Sequence, residues 1–426
     1  MISVEEALER ILAYVEVLEA EEKPLLDALG QVLAEDVFAP FNIPPLDNTA
    51  MDGYAVRAAD TRGASARSPV ELSVIGEVAA GYLWEGEVEP GTAVRIMTGA
   101  PIPKGADAVV PFEETDEPFE KAPKGTQRLQ ATVRVSVEAK VGANIRRAGE
   151  DVHEGQPILG KGAGLRPSEI GVLASLGKPT VKVVRRPLVA VLSTGDELVP
   201  LGEERPPGKI YDSNAYSLAA LVRRYGGIPK MLGIAKDTVE ALTAKIHDGL
   251  GADMLITSAG VSRGDYDVVK DVLAKEGEIK FWTVAMKPGK PLAFGCFYSG
   301  VRRIPHIGLP GNPVSSMVSF ELFGRPAIFK MMGKTGWDRP TIKAIADERI
   351  TNQGDPRRFY ARCIVSQRDG RYYASLTGPQ GSGILTSMMY ANALTVIPEE
   401  RDVVEPGEEI DVIMLDWSQG DEWVTS

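Results

Sequence analysis

Acidic, basic and glycine residues recur in five short segments between residues 193 and 316: STGDEL, AKD, SAGVSRGDYD, MKPGKP and GLPGNPVSS. Three of their carboxylates, Glu197, Asp237 and Asp267, are hard oxygen ligands of the kind that Mg²⁺ uses when it bridges phosphates. Lys287 and Lys290 add positive charge for an anion, and glycine-rich turns let backbone N–H groups approach phosphate closely. These residue types therefore suggest a metal-assisted site for a phosphate ester.

Four of the segments follow apolar runs that have the character of β-strands: LVAVLS, KMLGI, DMLIT and RIPHIGL. Helical segments such as NAYSLAALVRRYGG and DTVEALTAKIHDGLG alternate with these runs. Strands that alternate with helices predict βαβ crossovers and a parallel sheet covered on both faces. Because ligands bind beyond the carboxyl ends of such strands, we expect the polar segments to converge on one mouth. There the acids would hold metal, while Arg263 and loop amides would hold an anion.

Each of these residues also has an ordinary structural interpretation. Asp237 stands three residues before Glu240, so it is the expected N-cap of the helix that follows. Asp265 and Asp267 fit the same role, Glu197 fits a solvated loop acid, and KPGKP fits a rigid basic turn. The coincidence of polar segments at five predicted strand ends, rather than any single residue, favours a functional site.

The rest of the chain predicts smaller domains around this α/β domain. Ser3 and Glu6 form a capping box at the start of an amphipathic helix, and residues 24–38 have the pattern of a second short helix. Short β runs fill residues 52–145, helical character returns at RPSEIGVLASLG, and β runs resume after residue 338. We predict a multi-domain α/β chain with a discontinuous helical and extended domain (1–45 plus 146–178), an inserted β domain (46–145), a doubly wound, mostly parallel α/β domain (179–334) and a C-terminal β-barrel-like domain (335–426).

Composition narrows the class of protein. The chain has 426 residues and a net charge of −12, which argues against a sequence-independent nucleic-acid binder because such proteins need a basic face. The two cysteines form no CxxC motif and are expected to be inert and buried. His153, His247 and His306 lack metal-ligand spacing and are expected at surface or loop positions. With neither a signal-peptide pattern nor a bilayer-spanning apolar run, the sequence predicts a cytoplasmic protein without a membrane partner.

Seven motifs occur in one order along the chain: DNTAMDGYAV, RIMTGAPIP, NIRRAGEDV, STGDEL, SAGVSRGDYD, MKPGKP and GLPGNPVSS. Together they resemble the molybdopterin molybdenumtransferase family of the MoeA type, to which the C-terminal domain of gephyrin is related, over nearly the whole chain. The resemblance implies a homodimer of four-domain subunits. It also implies Mg²⁺-dependent insertion of molybdate, a substrate, into adenylylated molybdopterin with release of AMP. The residues alone indicate only an anionic phosphate ligand and a divalent metal.

The resemblance also implies roles for individual residues. Active-site roles fall to Asp52, Thr98, Asp151, Glu197, Asp237, Asp267 and Lys287, of which Glu197, Asp237 and Asp267 are the metal ligands. The loops and the resemblance together predict substrate-binding roles for Thr194, Gly195, Ser258, Gly260, Ser262, Gly264, Lys290, Pro310, Gly311, Asn312, Ser315, Arg362 and Ser382. Positions linked to molybdate or the terminal phosphate are Lys290, Ser315, Arg362 and Ser382. Asp52, Thr98 and Asp151 are expected to face the α/β pocket of the partner subunit.

Three residues depart from the pattern of the family. Thr283 stands where some relatives carry a second lysine, which removes a positive charge for which Arg263 could compensate. Ala259 replaces a usual glycine, so its Cβ has a steric cost if the loop needs a positive φ. Thr49 replaces a serine and keeps the hydroxyl. None of these changes removes a residue with a predicted essential role.

Two other functions stay open at this point. One is an adenylyltransferase-type activity that uses ATP directly, and the other is a non-catalytic scaffold of the gephyrin type. Two additional β domains with matching motifs count against the first, and the retained charged residues count against the second. The residues do not distinguish molybdate from tungstate, and a molybdopterin adenylyltransferase is the candidate handover partner.

Overall fold

The computed structural model describes residues 1–117, 130–258, 272 and 275–416. The chain forms two compact units, a first unit of Met1–Ala34, Gly162–Gly171 and Pro179–Ser426, and a second unit of Glu35–Lys161 and Val172–Lys178. The finer division into four domains stays a prediction. Among the described residues, no helix combines the length and the apolar character that crossing a bilayer requires.

Twelve strands, numbered here in chain order, build the two large sheets of the first unit: β1 (Leu188–Thr194), β2 (Ile228–Ala235), β3 (Met254–Ser258), β4 (Gly277–Thr283), β5 (Met286–Lys287), β6 (Pro291–Ser299), β7 (Arg302–Leu309), β8 (Thr341–Ala346), β9 (Arg358–Arg368), β10 (Arg371–Leu376), β11 (Ala393–Ile397) and β12 (Glu409–Met414). The first large sheet has six strands in the order β2-β1-β3-β7-β6-β4. Strands β2, β1, β3 and β7 pair in parallel, whereas β6 and β4 form an antiparallel edge. This confirms the predicted, mostly parallel α/β arrangement.

Helices cover both faces of this sheet, as the alternation of strands and helices predicts. The helices of the first unit that have described bounds are, in chain order, α1 (Val4–Leu12), α2 (Ser213–Arg224), α3 (Val239–Gly249), α4 (Pro313–Ser319), α5 (Arg325–Met331) and α6 (Thr386–Tyr390), with a π-helical turn at Phe320–Gly324. Val189 and Val191 of β1 point into a core shared with α1, α2, α4 and α5. Ala190 and Leu192 point to the opposite face, into the core shared with α3. The side-chain period of two therefore anchors both layers on one strand.

The second large sheet of the first unit closes into a five-stranded barrel. Its strands follow the order β9-β10-β8-β12-β11, and β11 pairs back with β9. Ala361, Cys363 and Val365 of β9 are buried in the barrel core. The barrel-like fold predicted for the C-terminal region is thus confirmed. The first unit also contains the paired short strands Leu198–Val199 with Ile210–Tyr211, Ile350–Thr351 with Val403–Val404, and the longer pair Ala20–Pro24 with Thr180–Val184.

The second unit is built mainly of short strands, in agreement with the β runs of the sequence. Its five-stranded sheet has the order Ala108–Pro111, Gly53–Val56, Thr92–Ile96, Val70–Val78 and Thr132–Val135. Two short pairs join it: Val37–Phe38 with Pro157–Leu159, and Asn48–Thr49 with Ile145–Arg146. Single 3₁₀ turns occur at Ala58–Thr61 and Phe112–Glu114. The helix Pro167–Ser175, which the sequence predicts, is divided between the two units.

The N-terminal segment agrees with the sequence prediction only in part. Ser3 caps α1, and its side chain accepts a hydrogen bond from the N–H of Glu6 at 3.0 Å, as the capping box predicts. The predicted helix at 24–38 is wrong, because only the 3₁₀ turn Leu25–Ala28 is helical there. Gly30, at a φ of +79°, ends this turn, and the following residues bridge to distant strands. Tertiary pairing therefore overrides the local helical pattern.

His306 corrects a second expectation, since it lies in the middle of β7 and is 1% exposed rather than in a loop or at the surface. Its Nε2 atom is 3.1 Å from the Oγ1 atom of Thr257 on the neighbouring strand β3. Burial lowers the pKa of His306 to about 3 from an ordinary value of 6.5. The folded protein therefore keeps this imidazole neutral at pH values where an unfolded histidine is charged.

We expect His306 to make the first unit acid-sensitive. Because only the unfolded state takes up a proton below pH 6.5, stability is full above that pH and is lost progressively as the pH falls toward about 3. The loss through this group is roughly 2 kcal/mol between pH 7 and pH 5. Urea unfolding at these two pH values measures it, and His306→Gln should reduce the difference by that amount. An unchanged dependence in His306→Gln would contradict a buried neutral imidazole.

Candidate active site

The parallel strands of the α/β sheet end level with one another. Thr194 at the end of β1 lies beside Ala235 at the end of β2. Ser193 lies beside Ser258 at the end of β3, and Ser258 lies beside Leu309 at the end of β7. The loops that follow these strands therefore leave the same edge of the sheet, as the sequence predicts.

A cleft of 650 Å³ opens in the first unit at this edge. Predicted site residues that line it are Glu197, Ser258, Pro310, Gly311, Asn312 and Ser315. Other lining residues come from the segment 210–214, from Pro291 and from Gly383 and Leu385 near α6. Asn312 precedes α4, and Pro313 occupies the first turn of that helix, where its missing N–H costs nothing.

The loops after β1 and β2 are joined by reciprocal hydrogen bonds. The carboxylate of Asp237 accepts from the N–H of Asp196 at 3.3 Å, and the carboxylate of Asp196 accepts from the N–H of Asp237 at 3.4 Å. Helix α3 is capped instead by Thr238, whose side chain accepts from the N–H of Ala241 at 3.3 Å. The interpretation of Asp237 as the N-cap is therefore wrong, and its carboxylate lies against the neighbouring loop.

Gly195 makes room for the acidic side chain that follows it. Its φ is +142°, and a Cβ atom at this position would lie 2.4 Å from the Oε2 atom of Glu197. The Nζ atom of Lys209 donates to the carbonyl oxygen of Asp196 at 2.5 Å and holds the same turn from the other side. Glycine at 195 thus sets where the Glu197 carboxylate can lie, whereas Thr194 is 2% exposed in the sheet.

Part of the predicted metal and phosphate loop lies outside the described residues. This applies to Gly260, Ser262, Gly264 and Asp267, to the residues Ala259, Arg263 and Asp265, and to most of the helix predicted after them. Within the described part of the chain, no group of three or more histidine, cysteine, aspartate or glutamate side chains is arranged to hold a metal ion. The predicted set of Glu197, Asp237 and Asp267 is not tested by that observation, because its third member is not among the residues searched.

Lys287 and Lys290 line a separate cleft of 490 Å³ together with Met1 and residues 352–357. The structure therefore does not bring Lys287 into the lining of the first cleft with Glu197. The two clefts are neighbours along the chain, since Lys290 precedes Pro291, which lines the first. The Nζ atom of Lys287 donates to the carbonyl oxygen of Asn352 at 3.1 Å and lies 4.9 Å from the centre of the Phe359 ring.

Arg362 is a completely buried guanidinium in strand β9. Its Nε donates to the Oγ atom of Ser387 and its Nη2 to the carbonyl oxygen of Gly381, both at 3.0 Å. Within the described residues its Nη1 has no hydrogen-bond partner, and no carboxylate forms a salt bridge with it. Burial lowers the pKa of Arg362 to about 10. The guanidinium is therefore held by neutral groups, and its positive charge is not compensated by them.

Ser382 joins the barrel to the loop that precedes α4. Its Oγ atom accepts from the Nδ2 atom of Asn312 at 3.0 Å, and its carbonyl oxygen accepts from the N–H of Val314 at 3.1 Å. Gln380 lies two residues before Ser382. Its side chain accepts from the N–H of Arg362 at 2.8 Å and donates to the carbonyl oxygen of Arg362 at 3.1 Å. The segment 380–382 thus connects Arg362 to the lining of the first cleft.

The second unit contains the remaining predicted residues. The N–H and the hydroxyl of Thr98 both donate to the Oδ1 atom of Asp52 at 2.7 Å, so the structure brings these two residues together. Asp151 lies in a different turn, where its N–H donates to the carbonyl oxygen of Ile43 at 3.0 Å. Thr49 is buried, and its hydroxyl donates to the carbonyl oxygen of Met51 at 2.6 Å. A serine at this position has the same hydroxyl group, so the replacement of serine by threonine keeps the donor.

Sequence reasoning missed several neutral residues that hold the site together. The Nδ2 atom of Asn214 donates to the Oγ atom of Ser258 at 2.8 Å and to the carbonyl oxygen of Gly311 at 2.7 Å, joining two of the loops. The signal for it is the polar run YDSN at the start of helix α2, of which Asn214 is the second residue. No comparable pattern marks Gln380 or Asn352. Gln380 binds the main chain of Arg362, 18 residues away, and Asn352 binds carbonyl groups three and five residues ahead in an irregular turn that has no periodicity.

Family models match three consecutive parts of the chain. The MoeA N-terminal region (domain I and II) matches residues 2–177, the probable molybdopterin binding domain matches residues 190–330, and the MoeA C-terminal region (domain IV) matches residues 343–415.

Relatives of known name match the chain over most of its length. It is 40% identical over 396 residues to molybdopterin molybdenumtransferase 2 of Mycobacterium tuberculosis, which covers 91% of this chain and 93% of that protein. It is 35% identical over 434 residues to the molybdopterin molybdenumtransferase of Bacillus subtilis, with coverage of 99% and 96%. The crystal structure of the molybdopterin biosynthesis MoeA protein from Pyrococcus horikoshii is similar with a TM-score of 0.80 and 33% identity, covering 98% of this chain and 99% of that one.

The contact between Gly195 and Glu197 predicts a coupled effect on stability. Gly195→Ala should cost roughly 1–2 kcal/mol through its positive φ, and the Cβ atom should in addition displace the Glu197 carboxylate. In a Glu197→Ala background the collision is absent, so the same substitution should cost less, by about 0.5 kcal/mol or under because the exposed Glu197 side chain can swing away. Urea unfolding of the four proteins in this double-mutant cycle measures the difference.

Gly233→Ala is the matched control, because Gly233 also has a positive φ, of +79°, but a Cβ atom added there would have no heavy atom within 4 Å. Its cost should be the same in both backgrounds. Equal costs for Gly195→Ala in both backgrounds would show that Gly195 does not set the position of Glu197.

Proposed function

The chain belongs to the MoeA family of molybdopterin molybdenumtransferases, and from this premise we propose that it inserts molybdate into adenylylated molybdopterin and releases AMP. It is a transferase of molybdenum cofactor biosynthesis. The observation that carries the finer proposal is the buried guanidinium of Arg362, which no carboxylate among the described residues neutralises. A cation in that state suits a small oxyanion.

The electrostatics of Arg362 support an anion as ligand. Burying an ionised group away from water is costly unless it is paired, and the serine hydroxyl and the carbonyl that hold Arg362 do not remove its charge. A bound oxyanion would supply the missing acceptor for Nη1 through a charge-assisted hydrogen bond, which is stronger than a neutral one. Ser382, joined to Arg362 through the loop at 380–382, offers a hydroxyl to the same oxyanion.

The first cleft supports binding of the organic part of the substrate. Ser258, Asn312 and Ser315 provide hydroxyl and amide groups there, and the apolar residues Leu198, Ile210 and Leu385 provide surface for a ring system. A volume of 650 Å³ is in the usual range for a small-molecule site. Lys287 and Lys290 in the adjoining cleft add positive charge for the phosphate or molybdate oxygens.

The acidic residues at the strand ends fit Mg²⁺. Glu197 follows β1 and Asp237 follows β2, two paired strands, and Asp237 contacts Asp196, the neighbour of Glu197. Carboxylate oxygens are the ligands that Mg²⁺ prefers, and the ion usually keeps several waters, so few protein ligands suffice. We propose Asp267 as the third ligand. When bound, Mg²⁺ would neutralise negative charge at the phosphoanhydride.

The proposal includes a homodimer in which Asp52 and Thr98 face the α/β cleft of the partner subunit. The N–H and the hydroxyl of Thr98 fix the position of the Asp52 carboxylate for this role. Asp151 is proposed for the same face. A molybdopterin adenylyltransferase is the proposed donor of the adenylylated substrate.

Mass spectrometry of the protein incubated with adenylylated molybdopterin and Mg²⁺, with and without molybdate, tests the proposed reaction. Release of AMP together with a molybdenum-containing product should require molybdate. Adenylylation of molybdopterin with ATP, without any need for molybdate, would replace the proposal by an adenylyltransferase activity. A parallel incubation with tungstate shows which of the two oxyanions the site prefers.

Lys287→Ala should lower the rate of molybdate-dependent AMP release by about 100-fold, because it removes a charged donor for the reacting oxyanion. Lys343→Ala is the matched control, since Lys343 lies on the barrel strand β8, is exposed and pairs with Asp411. That variant should keep the wild-type rate. Wild-type activity in Lys287→Ala would remove Lys287 from the site.

A further inference from the structure

Lys287 belongs structurally to the barrel, although it lies between two strands of the α/β sheet. The chain leaves that sheet after Thr283, at the end of β4, and returns to it at Pro291, where β6 begins. Between them, the two residues of β5 pair in parallel with β9, with Met286 beside Arg358 and Lys287 beside Phe359. The backbone of Lys287 therefore takes its position from the barrel.

The segment 352–357, between β8 and β9, encloses Lys287. The Nζ atom of Lys287 donates to the carbonyl oxygen of Asn352 at 3.1 Å. The Asn352 side chain is fully buried, and its Nδ2 atom donates to the carbonyl oxygens of Asp355 at 2.6 Å and Arg357 at 2.7 Å. Asn352 thus folds this segment into a turn that presents its own carbonyl to the lysine.

Arg357 connects that turn to the strand that carries Lys287. Its Nε donates to the Oδ1 atom of Asp355 at 2.8 Å, and its Nη2 pairs with the Oδ2 atom. Its Nη1 donates to the carbonyl oxygen of Met286 at 3.2 Å. The guanidinium therefore binds the turn with one edge and the residue before Lys287 with the other. We name this arrangement of Asn352, Asp355 and Arg357 the clasp.

The charges of the clasp cancel within it. The hydrogen bond from Arg357 lowers the pKa of Asp355, and the positive charge of Lys287 contributes to the same shift. Because Asp355 engages Arg357 from two atoms, Arg357 is not directed at the cleft as a free cation. An ammonium has three donors, and within the described residues the carbonyl of Asn352 accepts from one of them, so two can bind ligand oxygens.

We propose that the clasp positions Lys287. Arg357 and Asp355 hold the turn 352–357 against strand β5, and this contact fixes the direction of the lysine ammonium. The role rests on the proposed function, in which Lys287 serves the reacting oxyanion, and Arg357 acts on the reaction only through it. The alternative is that Arg357 itself binds an anion, and Asp355 distinguishes the two models. Loss of the Asp355 carboxylate would strengthen anion binding by Arg357, whereas it would disable the clasp.

The test compares Arg357→Met, Asp355→Ala and the double variant in molybdate-dependent AMP release. Each single variant should lower kcat by about tenfold, since displacement of a reacting group by a fraction of an ångström has effects of this size. The KM for adenylylated molybdopterin should stay within twofold of wild type, because the first cleft is untouched. The double variant should be no slower than either single variant, as expected for two residues that act as one unit. Arg357→Lys, which keeps the charge but not the two-edged contact, should not restore the rate.

Arg368→Met is the matched control. Arg368 also pairs with an aspartate, Asp347, but at the other end of strand β9. Arg368→Met should keep wild-type kcat, and the thermal midpoint of every variant should stay above the assay temperature, so that any loss of kcat is measured on folded protein.

Three outcomes overturn the clasp: full kcat in Arg357→Met, a rise in rate or molybdate affinity in Asp355→Ala, or general unfolding of either variant, which would make the pair a support of the barrel. If the wild-type protein itself releases no AMP, the proposed function fails, but the structural role of the clasp can still be tested. The clasp then still predicts that Arg357→Met, unlike Arg368→Met, changes the rate at which Lys287 is acetylated by a lysine reagent, as read by peptide mass spectrometry. An unchanged acetylation rate would overturn it.

Discussion

The candidate chemistry depends on the parallel hydrogen bonding that brings β2, β1, β3 and β7 to one level at their carboxyl ends. Ser193 and Ser258 are direct neighbours, and so are Ser258 and Leu309, so each loop starts where the next one does. The register of β1 is specified by packing, because Val189 and Val191 fit one buried face while Ala190 and Leu192, which differ in size, fit the other. A slip of one residue would exchange these faces. The precision of the site is thus a consequence of core packing.

Opposite charges come from different parts of the first unit. Carboxylates at Glu197 and Asp237 follow strands of the α/β sheet, whereas the cations at Lys287 and Arg362 lie on strands of the barrel sheet. Among the described residues, both cations are held by neutral acceptors, the carbonyl of Asn352 for the lysine and a hydroxyl and a carbonyl for the arginine. Neutral acceptors fix the geometry of both groups, although the charge of Lys287 also acts on the nearby Asp355 carboxylate. In the proposed function both cations serve an anion.

The sequence predicts those parts of the structure that follow from periodicity. The parallel sheet, its covering helices and the convergence of loops at its carboxyl edge could all be derived from alternating apolar runs. Asp237 could not be placed, because its local pattern is that of an N-cap, and only the neighbouring loop shows why Thr238 takes that role instead. His306 was misjudged because a histidine inside an apolar strand needs a partner on the next strand, Thr257, which a single sequence does not reveal.

Arg362 shows a different limit of sequence reasoning. Its role was implied only by resemblance to a family, since nothing in RFYARCIVS distinguishes one arginine from another. In the structure the arginines differ in their partners and in their burial. Arg357 and Arg358 have carboxylate partners, whereas Arg362 is 0% exposed and has none among the described residues. In the proposed function, partner chemistry in three dimensions rather than residue type marks Arg362 for the oxyanion.

The buried side chain of Asn352 is best explained by the requirements of a short strand. Two residues of β5 contribute too few main-chain hydrogen bonds to hold a lysine at a fixed place, so the adjoining turn must be rigid on its own. Asn352 provides that rigidity through two bonds from Nδ2, yet its Oδ1 atom is buried and has no partner within the described residues, a state that costs roughly 1–3 kcal/mol. An apolar residue would avoid this cost but could not bind the two carbonyl groups of the turn. The unsatisfied oxygen is therefore the structural cost of fixing the carbonyl group that holds the Lys287 ammonium.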